Sequence, residues 1–191
     1  MYESVKENFR REALARRDTL PAAARQAAAE AIAGRAFPVE IKPGIIVSGF
    51  SPMKTEINPI PLMRKLSNAG AQLALPVVQG RGKPLIMRAW TFGAPLAAGQ
   101  WGIREPAPNA TEVAPDILIV PLVAFDRQGH RIGYGAGYYD MTINALREKK
   151  KVVAIGIAYA AQEIPQVPAT DRDARLDLVL TERENIDFRK V

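Results

Sequence analysis

Cysteine is absent from this 191-residue sequence, histidine occurs once, and aromatic residues make up only 7% of it. Without a thiol there is no disulfide, no thiolate metal centre and no cysteine nucleophile. The single imidazole, His130, lies in a polar turn over residues 126–131, where it reads as an exposed turn residue. No G-x-S-x-G accompanies it, so a Ser-His-Asp hydrolase has little support. No uninterrupted apolar run approaches bilayer length, and Met1, Tyr2, Glu3, Ser4, Val5 and Lys6 do not resemble the apolar core of a secretory signal. A soluble, cytoplasmic protein without a membrane partner is expected.

What is present is a chain with 48% hydrophobic and 24% charged residues, enough to bury one sizeable core. One domain over residues 1–191 is the expectation, acting as a monomer. The net charge of +6 and pI near 9.7 call for an anionic partner. Nucleic acid would be favoured by a dense basic stripe with interleaved aromatics, whereas here the Lys and Arg residues are spread along the chain. A small polyanion such as a nucleotide fits better, and a basic RNA-binding accessory protein rests on the pI alone.

Over residues 3–17, Val5, Phe9 and Leu14 recur at spacings of four and five, which predicts an amphipathic helix with a narrow apolar stripe. Lys6 and Arg10 are neighbours on its other face and Arg17 is nearly in line, a pattern that a solvated charged face would also produce. Asp18 or Thr19 can cap a second, Ala-rich surface helix with Pro21 in its first turn and Gly34 near its end. An apolar strand at 45–47, a loop at 49–58, a helix at 59–69 closed by Gly70 and a strand at 73–76 form one β-α-β unit. Strands at 116–120 and 152–157 with a helix at 138–149 form a second. Fully apolar strands alternating with helices predict an α/β fold with a mainly parallel sheet, whose ligands gather at the strands' carboxyl ends. Residues 79–109, rich in Gly and Pro and holding both tryptophans, read as a hairpin and a long loop.

The most informative segment is Arg131-Ile132-Gly133-Tyr134-Gly135-Ala136-Gly137-Tyr138-Tyr139-Asp140. Glycines at alternate positions let backbone N–H groups crowd around an anion, and the helix that follows adds its positive end. Arg131 can add charge, and Asp140 can offer an oxygen to Mg²⁺. A glycine-bearing turn with packed tyrosines would show the same pattern. The segment is not the dinucleotide fingerprint, because Tyr138 stands where the third glycine belongs, nor a Walker loop, because no Gly-Lys-Ser/Thr follows.

Together with Val120-Pro121-Leu122-Val123-Ala124-Phe125-Asp126 and Gly129, this segment resembles the signature of the 5-formyltetrahydrofolate cyclo-ligase (methenyltetrahydrofolate synthetase) family, and the resemblance extends over nearly the whole chain. It implies a single three-layer domain of the NagB/RpiA/CoA-transferase-like class, and an ATP- and Mg²⁺-dependent closure of 5-formyltetrahydrofolate to the 5,10-methenyl form. Lys6 and Arg10 are similar to the family's N-terminal Lys-x-x-x-Arg, which implies contacts to the ATP phosphates. The implied ATP site further takes Arg131, Gly133, Tyr134, Gly135, Ala136, Gly137, Tyr138 and Tyr139. Phe50, Ser51 and Glu56 resemble the loop that meets the folate, and Trp101-Gly102-Ile103-Arg104-Glu105-Pro106 the aromatic segment beside it; Tyr134, Gly135, Gly137 and Tyr138 are implied to touch the same ligand. Pro168, Asp173, Asp177, Thr181 and Glu182 resemble the closing motif, with Asp173 a second Mg²⁺ contact beside Asp140. Arg172, Thr170 and Asn58-Pro59 depart from the family's pattern.

The implied chemistry suits these residues. A formamide oxygen leaves poorly, and phosphorylation by ATP converts it into a phosphate that leaves readily. That asks for positioning and positive charge, with Arg131, Tyr138 and Asp140 in the catalytic role, Glu56 orienting the pterin and Trp101 walling the rings; no protein nucleophile is needed. The basic charge also suits folates with or without a polyglutamate tail. The alternative is a non-catalytic nucleotide- or folate-binding regulator of the same fold, against which Glu56, Arg131 and Asp140 all argue.

Overall fold

A computed structural model describes residues 2–189; Met1 and the last two residues, counted above in the unit spanning 1–191, lie outside these. The chain runs α1 (Tyr2–Asp18), α2 (Ala22–Gly34), β1 (Ile46–Ser48), α3 (Ile60–Asn68), β2 (Gln72–Val77), β3 (Ile86–Trp90), β4 (Leu96–Ala98), β5 (Arg104–Pro106), β6 (Glu112–Val113), β7 (Ile117–Val120), β8 (Ala124–Phe125), β9 (Arg131–Ile132), α4 (Tyr138–Lys149), β10 (Val153–Ile157), β11 (Leu178–Leu180) and β12 (Asn185–Asp187). Eight strands form one sheet in the order β12-β11-β10-β7-β1-β2-β3-β6. Its middle five, β11 to β2, are parallel, and β12 and β3 close its flanks by antiparallel pairing. The α/β architecture expected from the apolar strands is the one adopted. None of the described helices is long and apolar enough to cross a membrane.

Because successive side chains of a strand point to opposite faces, each apolar strand feeds two cores. Val47, Leu73, Ile117, Ile119, Ile155 and Leu178 face Ile32 of α2 and Leu62, Met63 and Leu66 of α3. Ala74, Leu118, Val120, Ala154 and Val179 face the other way, where Ile143 and Leu146 of α4 cover them. A third, smaller cluster of Val123, Ala124, Ile132, Ile164 and Val167 receives Ala13 of α1. That third contact lays α1 over the end of the sheet from which β7 emerges.

Two local expectations are corrected. Asp18 and Thr19 do not cap α2, whose N-cap is Pro21 without a side-chain bond. The Thr19 hydroxyl donates back to the Arg16 carbonyl at 2.7 Å, and Asp18 accepts from Thr55 at 2.6 Å, so both side chains serve the end of α1. The buried face of α1 is also inverted. Val5 is exposed and Phe9 and Leu14 only half-buried, whereas Arg10 and Arg17 are 8% and 2% exposed. Those arginines find acceptors under the helix, which offset the cost of removing their charge from water.

One glycine positions the β8–β9 hairpin. Gly129 has φ +89°, and a Cβ there would lie 2.9 Å from the Leu176 carbonyl oxygen, the backbone that donates its N–H to the Gly129 carbonyl at 2.8 Å. Left-handed strain and a backbone clash act together, so Gly129→Ala is expected to cost about 2 kcal/mol or more. In a chain of this size that lowers the melting temperature by about 2–4 °C per kcal/mol. An unchanged melting curve would contradict the close approach.

Candidate active site

Four loops leave the carboxyl edge of the parallel strands side by side. The loop after β1 carries Phe50, Ser51 and Glu56. The chain after β7 carries Pro121, the β8–β9 hairpin and the glycine-rich loop; that after β10 carries Tyr159; and β2 runs out toward the β4–β5 hairpin, whose Glu105 accepts the Val78 N–H at 3.1 Å. Into this cluster α1 presents three cations.

Arg10 donates from Nε to the Gly133 carbonyl at 2.8 Å and pairs with Glu7 through Nη1. At Gly135, with φ +109°, a Cβ would stand 3.7 Å from the same guanidinium. Lys6 Nζ meets Asp173 at 2.8 Å, and that carboxylate also accepts the Thr170 N–H at 3.0 Å. Arg131, 7% exposed, lies under the loop with Nη1 at 3.4 Å from the Pro121 carbonyl and Nη2 at 3.7 Å from Asp140. Its Cζ is 5.6 Å from the Tyr139 ring centroid, and its buried Nε has no acceptor among the described residues. A Cβ on Gly133 would press within 2.8 Å of Arg131 Nη1, so glycine is what lets the loop sit on that guanidinium.

The loop ends in a left-handed residue, Gly137 (φ +73°), which turns the chain into α4. Tyr138 and Tyr139 open that helix, and both hydroxyls are buried without a partner among the described residues. Burial, then the Glu56 charge, drives the Tyr139 phenol well above its ordinary range. Asp140, in the first turn, accepts the Ala174 N–H at 3.0 Å. This ties α4 to the segment holding Asp173, so the two predicted metal carboxylates are brought together. In each, one oxygen is engaged, while the other takes no hydrogen bond among the described residues. No group of three or more His, Cys, Asp and Glu gathers among those residues.

Glu56 accepts the Met53 N–H at 2.9 Å. Burial raises its pKa above 4.5, against the pull of that hydrogen bond, Arg17 and Tyr134. The Tyr134 side chain is half exposed, but its hydroxyl end is drawn in beside Glu56 and Arg17, and desolvation followed by the Glu56 charge pushes its pKa up to about 12. Outside Glu56 opens a cavity of about 420 Å³, lined by Arg25, Lys54, Asn58, Pro61 and Tyr159 among others.

The predicted residues thus divide by where the fold puts them. Lys6, Arg10, Arg131, Gly133–Gly137, Tyr138, Tyr139, Asp140 and Asp173 converge, and Glu56 joins them through Tyr134. Phe50, 4% exposed, belongs to the core under the first loop, and Ser51 is half-buried beside it. Trp101 is 65% exposed on the β4–β5 turn in a left-handed conformation (φ +62°), which for a bulky residue is strained. In the closing motif, Asp177 holds Arg147 at 3.0 Å and the Ala154 N–H at 2.8 Å, Thr181 caps its own turn, and Glu182 accepts the Ala160 N–H. These three brace the sheet. His130 is not simply exposed: its buried Nδ1 lies 3.4 Å from the fully buried Asp126 carboxylate, which accepts the Gln128, His130 and Val167 N–H groups. The residue that sequence reasoning left without a role is Arg17, although its place in line with Lys6 and Arg10 is the signal that marks it.

The comparisons place the whole chain in a known family. Residues 2–182 match the sequence profile described as the 5-formyltetrahydrofolate cyclo-ligase family. The chain is 32% identical over 189 residues to the 5-formyltetrahydrofolate cyclo-ligase of Mycolicibacterium smegmatis, covering 95% of each. Among solved structures, Aquifex aeolicus 5,10-methenyltetrahydrofolate synthetase superposes with a TM-score of 0.78 at 28% identity, over 97% of this chain and 93% of the other. The Mycoplasma pneumoniae 5,10-methenyltetrahydrofolate synthetase, at 22% identity and a TM-score of 0.71 over 93% and 98%, shares the fold. With its profile matched almost from end to end and its signature residues folded onto one edge of the sheet, this chain belongs to the 5-formyltetrahydrofolate cyclo-ligase family.

Proposed function

We propose that this chain catalyses the ATP-dependent closure of 5-formyltetrahydrofolate to 5,10-methenyltetrahydrofolate, releasing ADP and phosphate, on the site formed by α1, the glycine-rich loop and the Glu56 loop. The observation that carries this reading is the convergence of buried Arg10 and Arg131 on the Gly133–Gly137 backbone at the start of α4. Two desolvated guanidiniums beneath a chain of N–H groups at a helix N-terminus are an anion site, and Lys6 extends it toward Asp173.

In this reading the formyl oxygen attacks the γ-phosphorus, the bond to the bridging oxygen breaks, and ADP departs. N10 then attacks the activated formyl carbon, the carbon–oxygen bond breaks to release phosphate, and the N10 proton is lost. Lys6, Arg10 and Arg131 hold the phosphates and absorb charge on the equatorial oxygens; the loop N–H groups fix the γ-phosphoryl in line. Glu56 accepts hydrogen bonds from the pterin and orders it, its carboxylate kept available by Arg17 and the Met53 N–H. Tyr138 and Tyr139 stand between the two ligands, and Trp101 folds over the flat rings from the hairpin.

Asp140 and Asp173 fit Mg²⁺, which takes few carboxylates and completes its shell with phosphate and water. Held there by Asp140 and Asp173, it would offset negative charge on the transferring phosphate. Arg25 and Lys54, in the cavity outside Glu56, suit an acidic tail on the folate.

The test is direct. Purified protein mixed with 5-formyltetrahydrofolate, ATP and Mg²⁺ is expected to generate the methenyl absorbance, with no product when ATP is omitted. Nucleotide and folate binding without product would instead favour the regulator.

A further inference from the structure

Arg17 is the most deeply buried cation of α1, and it touches neither the glycine backbone nor a carboxylate directly. Its Nε donates to the Thr55 hydroxyl at 3.0 Å and its Nη1 to the Tyr134 hydroxyl at 2.7 Å, with Cζ 5.9 Å from the Tyr134 ring centroid. Thr55 immediately precedes Glu56, and Tyr134 lies inside the glycine-rich loop. The Thr55 hydroxyl in turn donates to Asp18 at 2.6 Å, and the Thr55 carbonyl accepts from the Tyr159 hydroxyl at 3.1 Å. One rigid fork therefore grips a residue from each of two loops. A planar guanidinium suits this because its donors are fixed relative to one another, so moving one acceptor shifts the other.

We infer that Arg17 is the positioning residue that couples the nucleotide loop to the folate loop, so that ordering the glycine-rich segment around a nucleotide sets Glu56 for the folate. The inference rests on the reading above, and Arg17 itself touches no reacting atom. Ordering one acceptor of the fork reduces the freedom left to the other, which makes two ligands help one another without contact between them. Such coupling is reciprocal: the factor by which nucleotide tightens folate binding equals the factor by which folate tightens nucleotide binding.

Titration calorimetry of 5-formyltetrahydrofolate with and without saturating Mg²⁺-ADP measures that factor, and the reverse titration checks it. In the unaltered protein the factor is expected to be on the order of 10-fold. It falls toward unity in Arg17→Gln and in Thr55→Val, which removes one acceptor of the fork, with its bond to Asp18, and leaves the Tyr134–Glu56 contact in place. Arg17→Lys, able to reach one hydroxyl at a time, falls between, and the double variant Arg17→Gln/Thr55→Val is no worse than either single change. A merely structural arginine would lower the melting temperature and leave the factor unchanged. A factor near unity in the unaltered protein, or the same factor in Arg17→Gln as in the unaltered protein, overturns the coupling while ATP-dependent ring closure stands. If Arg17→Gln does not fold, Thr55→Val decides alone. Failure of the unaltered protein to form methenyl product would instead sink the reading beneath.

Discussion

Asp140→Asn is expected to slow ATP-dependent ring closure by on the order of 10²–10³-fold, the loss typical when one electrostatic contact to the transition state is removed. The amide is the same size, and its oxygen can still accept the Ala174 N–H that Asp140 accepts at 3.0 Å, so α4 stays tied to the Asp173 segment. What disappears is the negative charge 3.7 Å from Arg131 and, in the proposed site, a Mg²⁺ ligand. The methenyl absorbance measures the rate, and raising Mg²⁺ should recover part of it while melting curves remain close. A turnover equal to that of the unaltered protein would leave Asp140 as nothing more than the bracket for Ala174.

Glu56 carries the second large effect. Glu56→Gln should raise KM for 5-formyltetrahydrofolate by roughly 10–100-fold, the range expected when hydrogen bonds to a charged acceptor are weakened, and should leave nucleotide binding measured without folate close to that of the unaltered protein. Its effect on stability has the opposite sign. Burial raises the Glu56 pKa above 4.5, so the folded protein binds this proton more tightly than the unfolded chain does. Stability is therefore lost as pH rises through the raised value, and near neutrality the ionised carboxylate is a net burden on the empty protein. The glutamine removes that burden and can keep the Met53 N–H, so its melting temperature should equal or exceed that of the unaltered protein at pH 7 and fall level with it below pH 4.5. A variant that melts lower at neutral pH and binds folate normally would show Glu56 to be a structural carboxylate.

Legibility followed the length scale of the interaction. The strands β1, β2, β7 and β10 were visible because each lies in a mainly apolar run that is mostly buried on both faces, and α4 begins and ends where the glycine at its entry and the lysines at its close indicate. The glycine-rich segment from Arg131 to Asp140 was visible because its residues lie within ten positions of one another. By contrast, β8, β9, β11 and β12 are two or three residues long, too short for any period to register. The orientation of α1 could not be read either, because its helical period is equally consistent with Val5 inward or Arg17 inward. Only the acceptors waiting beneath it, Gly133, Thr55 and Tyr134, decide between them, and those lie 38 to 123 residues away. The cap assigned to Asp18 or Thr19 failed for a similar reason: Thr55, remote in sequence, claims the carboxylate.

The bridge from Lys6 to Asp173 joins positions 167 residues apart. During synthesis the basic helix emerges well before its acidic partner, so a growing chain displays its cations long before the carboxylates and the glycine loop arrive to occupy them. Closure of this edge of the sheet therefore waits for Asp173, however early α1 has coiled into a helix.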